Sequence, residues 1–265
     1  MIDVLDASVD EILAACDAIT GQEHGRGVMV LVSRDDREAA HKKLNSKDRR
    51  RKLASRVALR LLAASRLGIP AENAASIVID RRCERCGAQH GRPQIAGLSA
   101  SSSSSGDRIL VAVAPSGARI GIDIERIPER LFAGFDAFAL HPRERGFSDR
   151  SASKTSVRLS RWVEKEAAVK SAGIGLDSPF DALRIVRIGD VGRYPHWAAE
   201  VDEVAETGWS FVAEAATPEL LDIAVRGLPS HEGYRSAIAA RTPHLVKMQT
   251  LPSAIRAEHV AVSAR

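Results

Sequence analysis

A helix-like segment that ends Ser65-Arg66-Leu67-Gly68-Ile69 is answered, about 105 residues later, by a second that ends Ser171-Ala172-Gly173-Ile174-Gly175. Each is followed by a short strand-like run, at residues 76–80 after the first and 183–187 after the second. Each then leads to two apolar runs joined by a proline-containing turn. In the first copy these are residues 109–114 and 119–124, around Pro115-Ser116-Gly117; in the second, 209–215 and 220–225, around Thr217-Pro218. A recurring order of helix, strand and hairpin predicts an α+β protein of two similar halves in one chain, a duplication. Each half is expected to be a helix packed on a small, mostly antiparallel sheet. The expected boundaries are 1–118, 119–228 and a tail, 229–265, whose weak periodicity suits partial disorder or a terminal helix.

Of the 265 residues, 45% are apolar, enough to build cores for both halves. No apolar run approaches the roughly 20 residues of a membrane-spanning helix. The first 30 residues carry Asp3, Asp6, Asp10, Glu11 and Asp17, unlike a basic-then-apolar signal peptide. Three cysteines exclude a disulfide scaffold. The expectation is a cytoplasmic protein without a membrane partner.

The net charge of +4 conceals a concentration of positive charge. Residues 41–60 hold nine Lys or Arg against one acid, Asp48. Leu53, Val57 and Leu61 recur at helical spacing, with Lys52, Arg56 and Arg60 as a parallel cationic stripe. Asn45 or Ser46 can cap the start, and Gly68 with Pro70 stops the helix. Such a stripe suits an anionic partner. Nucleic acid is the first candidate, but aromatic residues make up 4% and none lies between Met29 and Arg130, which leaves few stacking platforms. A solvated helix face is the plain alternative.

Gly121-Ile122-Asp123-Ile124-Glu125 places two carboxylates two apart, on one face of a strand, with Ile122 and Ile124 on the other. Paired like charges are relieved by a cation, and an all-oxygen set favours Mg²⁺. An acidic outer face of a surface strand is the alternative. Downstream, a helix expected over 160–172 carries Trp162, Lys165, Glu166 and Lys170, with Glu166 and Lys170 one turn apart. Alone, that pair reads as an ordinary helix-stabilising ion pair. Cys83-x2-Cys86-x3-His90 supplies three of the four ligands of a structural zinc site, and no fourth falls at a usual spacing. Residues 99–106, almost all serine, read first as a linker.

In order, Gly91-Arg92-Pro93, Ser103-Ser104-Ser105-Gly106, Gly121-Ile122-Asp123-Ile124-Glu125 and the 162–170 stretch Trp-Val-Glu-Lys-Glu-Ala-Ala-Val-Lys resemble the motifs of the Sfp-type 4′-phosphopantetheinyl transferases. The resemblance implies a Mg²⁺-dependent transfer of the phosphopantetheine arm of coenzyme A to a serine of an acyl or peptidyl carrier protein, releasing adenosine 3′,5′-bisphosphate. It implies that Asp123, Glu125 and Glu166 bind the metal, that Glu166 is the base, and that Lys170, with Lys165 assisting, neutralises the phosphates. Arg92 would contact the nucleotide, and Gly91 and Pro93 would let the backbone approach the adenine. Arg51 and Arg56 would bind the phosphates of coenzyme A, and Ser103, Ser104 and Ser105 would form a phosphate loop. The family often has histidine where this chain has Ser104. The arginine-rich segment 128–160 is the expected carrier-docking region of a monomer. The rivals are a nucleic-acid-binding protein using the basic helix and an inactive homologue that binds coenzyme A or a carrier without transfer.

Overall fold

The structure is a computed structural model that describes residues 1–83, 86–89, 91–145, 152–175, 178–192, 194–199 and 208–251. The chain divides into two compact units, 1–117 with 245–265, and 118–244.

The N-terminal unit opens with β1 (Ile2–Ser8). Ser8 then caps α1 (Val9–Thr20), its hydroxyl accepting from Glu11 N–H while the Glu11 carboxylate accepts from Ser8 N–H. Two short helices, α2 (Val28–Leu31) and α3 (Arg34–His41), precede the long α4 (Ser46–Leu67). Asn45 is the N-cap of α4, accepting from Asp48 N–H, and Gly68 ends it in the left-handed conformation at φ +68°, both as expected. Val57 and Leu61 are fully buried, with Leu53 packed beside them. The cationic stripe departs from expectation. Arg56 and Arg60 are buried, so this is not a solvated face. A short meander follows: β2 (Gln94–Ile95), β3 (Leu98–Ser105) and β4 (Arg108–Pro115), with β4 antiparallel to β1.

Two expectations change here. Residues 76–80 form no strand; a 3₁₀ turn over Ala71–Ser76 leads to one isolated bridge, Asp80 with Gln94. The serine run is neither linker nor loop. It is β3, paired along its length with apolar β4, and that neighbour overrides the weak strand preference of serine.

The C-terminal unit opens with β5 (Ile120–Arg126), passes through α5 (Phe135–Ala139) and reaches α6 (Ala152–Ala172). A meander follows: β6 (Arg184–Arg187), β7 (Ser210–Glu214), β8 (Ala224–Leu228) and β9 (Tyr234–Ala240). The sheet order is β5-β9-β8-β7-β6, antiparallel throughout. α6 starts eight residues before the expected helix, in a polar stretch without an apolar stripe. Its Ser160 hydroxyl donates to the Ser156 carbonyl, so the serines are accommodated within the helix.

The weakly periodic tail supplies β9 and β10 (Val246–Gln249). β9 lies between β5 and β8, buried on both faces, and its alanines lack the alternation that marks a half-exposed strand. β10 belongs to the N-terminal unit and pairs parallel with β1, completing the order β10-β1-β4-β3-β2.

Both units therefore follow one plan, a strand, a long helix, and a meander whose last strand returns beside the first. The correspondence differs from the expected one. β4 and β5 are not a hairpin, because they belong to different sheets. β4 matches β9, and β1 matches β5, which the sequence pattern had not paired.

Candidate functional site

In the C-terminal unit, α6 lies directly on β5. The approach is possible because of Gly121, where a Cβ would stand 2.1 Å from the Ala167 carbonyl oxygen and 2.3 Å from Ser171 N. Gly121, Asp123 and Glu125 share the strand face that meets α6, while Ile120, Ile122 and Ile124 are buried on the other. Asp123 is 2% exposed, and Lys170 of α6 donates to its Oδ1 at 2.5 Å. Glu166, one turn earlier on α6, is also buried. Burial, then repulsion from Asp123 and Glu125, pushes its carboxyl up to about 7, against the opposing pull of Lys170. Burial disfavours the charge on Lys170, but Asp123, Glu166 and Glu125 outweigh it and hold the ammonium above the ordinary lysine value. The expected carboxylates and Lys170 thus gather in one electrostatically coupled group.

Lys165 stands apart from that group. Its ammonium is wholly buried and donates to the Ala139 and Phe180 carbonyls at 2.8 and 3.1 Å, with Glu144 at 2.7 Å. Glu144 also accepts from the backbone N–H of His141 and Ile185. The three donors of Lys165 are thus all engaged within the fold, away from the group that Lys170 joins. Nothing in the local sequence links Lys165 to Glu144. Trp162 joins Phe135, Phe138 and Phe180 in an aromatic cluster, on whose margin Phe132 and Phe138 are more than half exposed.

The N-terminal unit gathers the remaining candidates. Arg51 donates to the Gly106 carbonyl at the β3–β4 turn, 3.2 Å, and pairs with Asp48 at 2.6 Å. Arg56 lies 3.5 Å from Asp36 and donates to the Gln89 carbonyl at 3.4 Å. Gly91 N–H donates to the Arg81 carbonyl at 2.7 Å, and a Cβ at Gly91 would stand 2.7 Å from the Arg82 carbonyl oxygen. Glycine is thus required there to close the loop. Arg92 is half-buried and Pro93 buried beside it. Ser103, Ser104 and Ser105 lie opposite Leu110, Ile109 and Arg108 of β4. Arg81, which the sequence pattern did not single out, is buried and donates to the Ser102 hydroxyl at 3.3 Å.

Cys83 and Cys86 are free thiols in a turn where Cys83 N–H donates to the Ala88 carbonyl and Gly87 N–H to the Cys83 carbonyl. His90 lies outside the described residues, as do 146–151 of the expected docking region. Among the described residues no three His, Cys, Asp or Glu side chains converge into a ready-made metal site, and no helix is long and apolar enough to cross a membrane.

Residues 119–224 match the family model of the 4′-phosphopantetheinyl transferase superfamily. The match falls within the C-terminal unit. The matched stretch contains Asp123, Glu125, Glu166 and Lys170. No curated protein matches the chain closely enough to be called a relative.

Proposed function

We propose that the protein is a cytoplasmic, Sfp-type transferase that moves the 4′-phosphopantetheine arm of coenzyme A to a serine of an acyl or peptidyl carrier protein. The observation that carries this reading is Glu166, raised to about 7, lying with Asp123, Glu125 and Lys170 inside the superfamily match.

The donor chemistry of the three carboxylates fits Mg²⁺. All three offer oxygen, and their mutual repulsion is relieved by a divalent cation. Asp123, Glu125 and Glu166 would hold the ion, which supplies charge neutralisation on the pyrophosphate.

The chain's own residues then have separate tasks. Glu166 takes the proton from the carrier serine, directly or through water. The serine oxygen forms a bond to the β-phosphorus of coenzyme A, and the bond from that phosphorus to the bridging oxygen breaks. Adenosine 3′,5′-bisphosphate leaves with the electron pair. Lys170 sets a positive charge near the leaving phosphate, which is most of what phosphoryl transfer asks of a protein. For the N-terminal unit, Arg51, Arg56, Gly91, Arg92, Pro93 and the serines 103–105 are proposed to contact coenzyme A. For docking, exposed Phe132 and Phe138 in an arginine-rich segment suit an acidic carrier with an apolar patch.

The test is to incubate the protein with coenzyme A, Mg²⁺ and an apo carrier domain and to weigh the carrier. A gain of one phosphopantetheine arm, lost with Glu166→Gln, is expected. No gain across acyl and peptidyl carriers would overturn the proposal.

A further inference from the structure

The Cys83-x2-Cys86 motif plays no part in the reading above, and it stands at the tip of a tight hairpin. At the base, Asp80 and Gln94 exchange both backbone hydrogen bonds, at 3.1 and 2.8 Å, and Gly91 N–H donates to the Arg81 carbonyl at 2.7 Å. At the tip, Cys83 N–H donates to the Ala88 carbonyl and Gly87 N–H to the Cys83 carbonyl, each at 2.8 Å. Gly87 takes the left-handed conformation, φ +71°, directly after Cys86. A hydrogen bond from the fifth residue to the first closes a single helical-type turn. Side chains three apart in such a turn are neighbours, with Cβ atoms about 5–6 Å apart. A disulfide needs about 3.5–4.5 Å, a closure of about 1–2 Å. Both thiols are reduced, Cys86 exposed and Cys83 half-buried.

We propose that Cys83 and Cys86 are a redox pair that closes to a disulfide by exchange with a low-molecular-weight disulfide. Exposed Cys86, as its thiolate, attacks one sulfur of that disulfide, whose S–S bond breaks, and one small thiol leaves with the electron pair. Half-buried Cys83, deprotonated in turn, attacks the Cys86 sulfur of the mixed disulfide, and the second small thiol leaves. The protons given up by the two cysteines go to the two small thiols. Two protein thiols are thus oxidised and one small disulfide is reduced. A pair of this kind in a cytoplasmic protein rests as thiols and closes under oxidation. The third cysteine stays outside the exchange. Cys16 is wholly buried in the N-terminal core, where burial, then Asp17, pushes its thiol up to about 12.

The ring staples the hairpin tip, and the same hairpin carries Gly91-Arg92-Pro93, proposed above to contact coenzyme A. The consequence for binding rests on that reading; the thiol chemistry does not. Arg56 of α4 donates to the Gln89 carbonyl at 3.4 Å, so the tip is also tied to the helix. Closing the ring removes freedom from the unliganded loop and adds no contact to the ligand, which then has less ordering to impose. The oxidised protein is therefore the tighter binder of coenzyme A.

The experiment equilibrates the full chain with oxidised and reduced glutathione in varied ratio, beside Cys83→Ser and Cys86→Ser, and weighs the products after trypsin digestion without reductant. Trypsin cuts after Arg82 and Arg85. In oxidised wild type the tripeptide 83–85 is expected to stay attached to the peptide that begins at Cys86, with Cys16 unchanged. Cys83→Ser stops at a glutathione adduct on Cys86, and Cys86→Ser stays unmodified. Hydrogen exchange at the Gly87 and Gly91 amides is about tenfold slower in oxidised than in reduced wild type, and does not respond to redox state in either variant. Binding is measured by calorimetry with S-methylated coenzyme A, whose capped thiol cannot reduce the ring, and is about threefold tighter for the oxidised form. A glutathione adduct that persists on wild type, a disulfide-linked dimer, or a metal ion held by both thiols against oxidation overturns the redox pair. Equal binding by the two forms overturns its control of the loop. A ring that closes in a protein binding the ligand in neither state keeps the redox pair and discards the proposed function.

Discussion

Lys170 spans from α6 to β5 and holds Asp123 at 2.5 Å, so that one lysine fixes the helix against the buried carboxylate of the strand. The same contact tunes Glu166, one turn away, by opposing the rise that burial and Asp123 impose. Lys170→Met should therefore act twice. With the side chain of Asp123 3% exposed, removing its partner should cost about 1–3 kcal/mol of stability. Transfer activity should fall by roughly a hundredfold or more through loss of charge at the leaving phosphate. Urea unfolding and a carrier-loading assay read the two effects. Undiminished loading would remove Lys170 from the mechanism.

Glu166 gives stability a distinctive pH dependence. Its folded value, about 7, lies above the ordinary 4.5, so between those limits the folded state binds the proton more tightly than the unfolded chain. In chelator, stability should be greatest below pH 4.5 in this respect and should fall as pH rises through 7. The Glu166→Gln protein should lack that component. Added Mg²⁺ should raise the melting temperature of wild type more at pH 8 than at pH 5.5, because the ligand must be ionised to bind. A Mg²⁺ effect independent of pH and unchanged in Glu166→Gln would argue against the carboxylate group as its site.

Lys165 and Glu144 form the contrasting case of a buried pair with a structural task. Lys165→Met alone should destabilise by about 3–5 kcal/mol, since it leaves Glu144 buried and uncompensated. Adding Glu144→Leu should recover much of that loss. The KM for coenzyme A of the folded fraction should stay near wild type. A selective rise in that KM, without loss of stability, would return Lys165 to the phosphates.

The pieces of the site legible in the sequence are those with short spacings. Asp123 and Glu125 are two apart on a strand, and Glu166 and Lys170 four apart on a helix, so local geometry puts each pair on one face. Helix α4 was equally legible, because Asn45 and Gly68 act within one turn of its ends. What escaped depends on distant partners. Serine-built β3 is a strand because β4 pairs with it, and the alanines of β9 carry no polar alternation because both faces are buried. Lys165 meets Glu144 across 21 residues of sequence, and Arg81 meets Ser102 of β3 from the loop that Gly91 N–H closes onto the Arg81 carbonyl. The duplication was visible as an order of elements, but β1 and β9 had to be seen in their sheets before the strands could be matched.

Ser104 offers a test that depends on its neighbours. An imidazole added by Ser104→His would ordinarily strengthen phosphate binding as it charges near pH 6.5. On the proposed function, Ser104→His should bind coenzyme A about fivefold more tightly at pH 6, with the gain fading by pH 8, while dephospho-coenzyme A gains nothing. Competition binding with the two ligands across that pH range measures it. Equal gains for both ligands would mean that Ser104 does not face the 3′-phosphate.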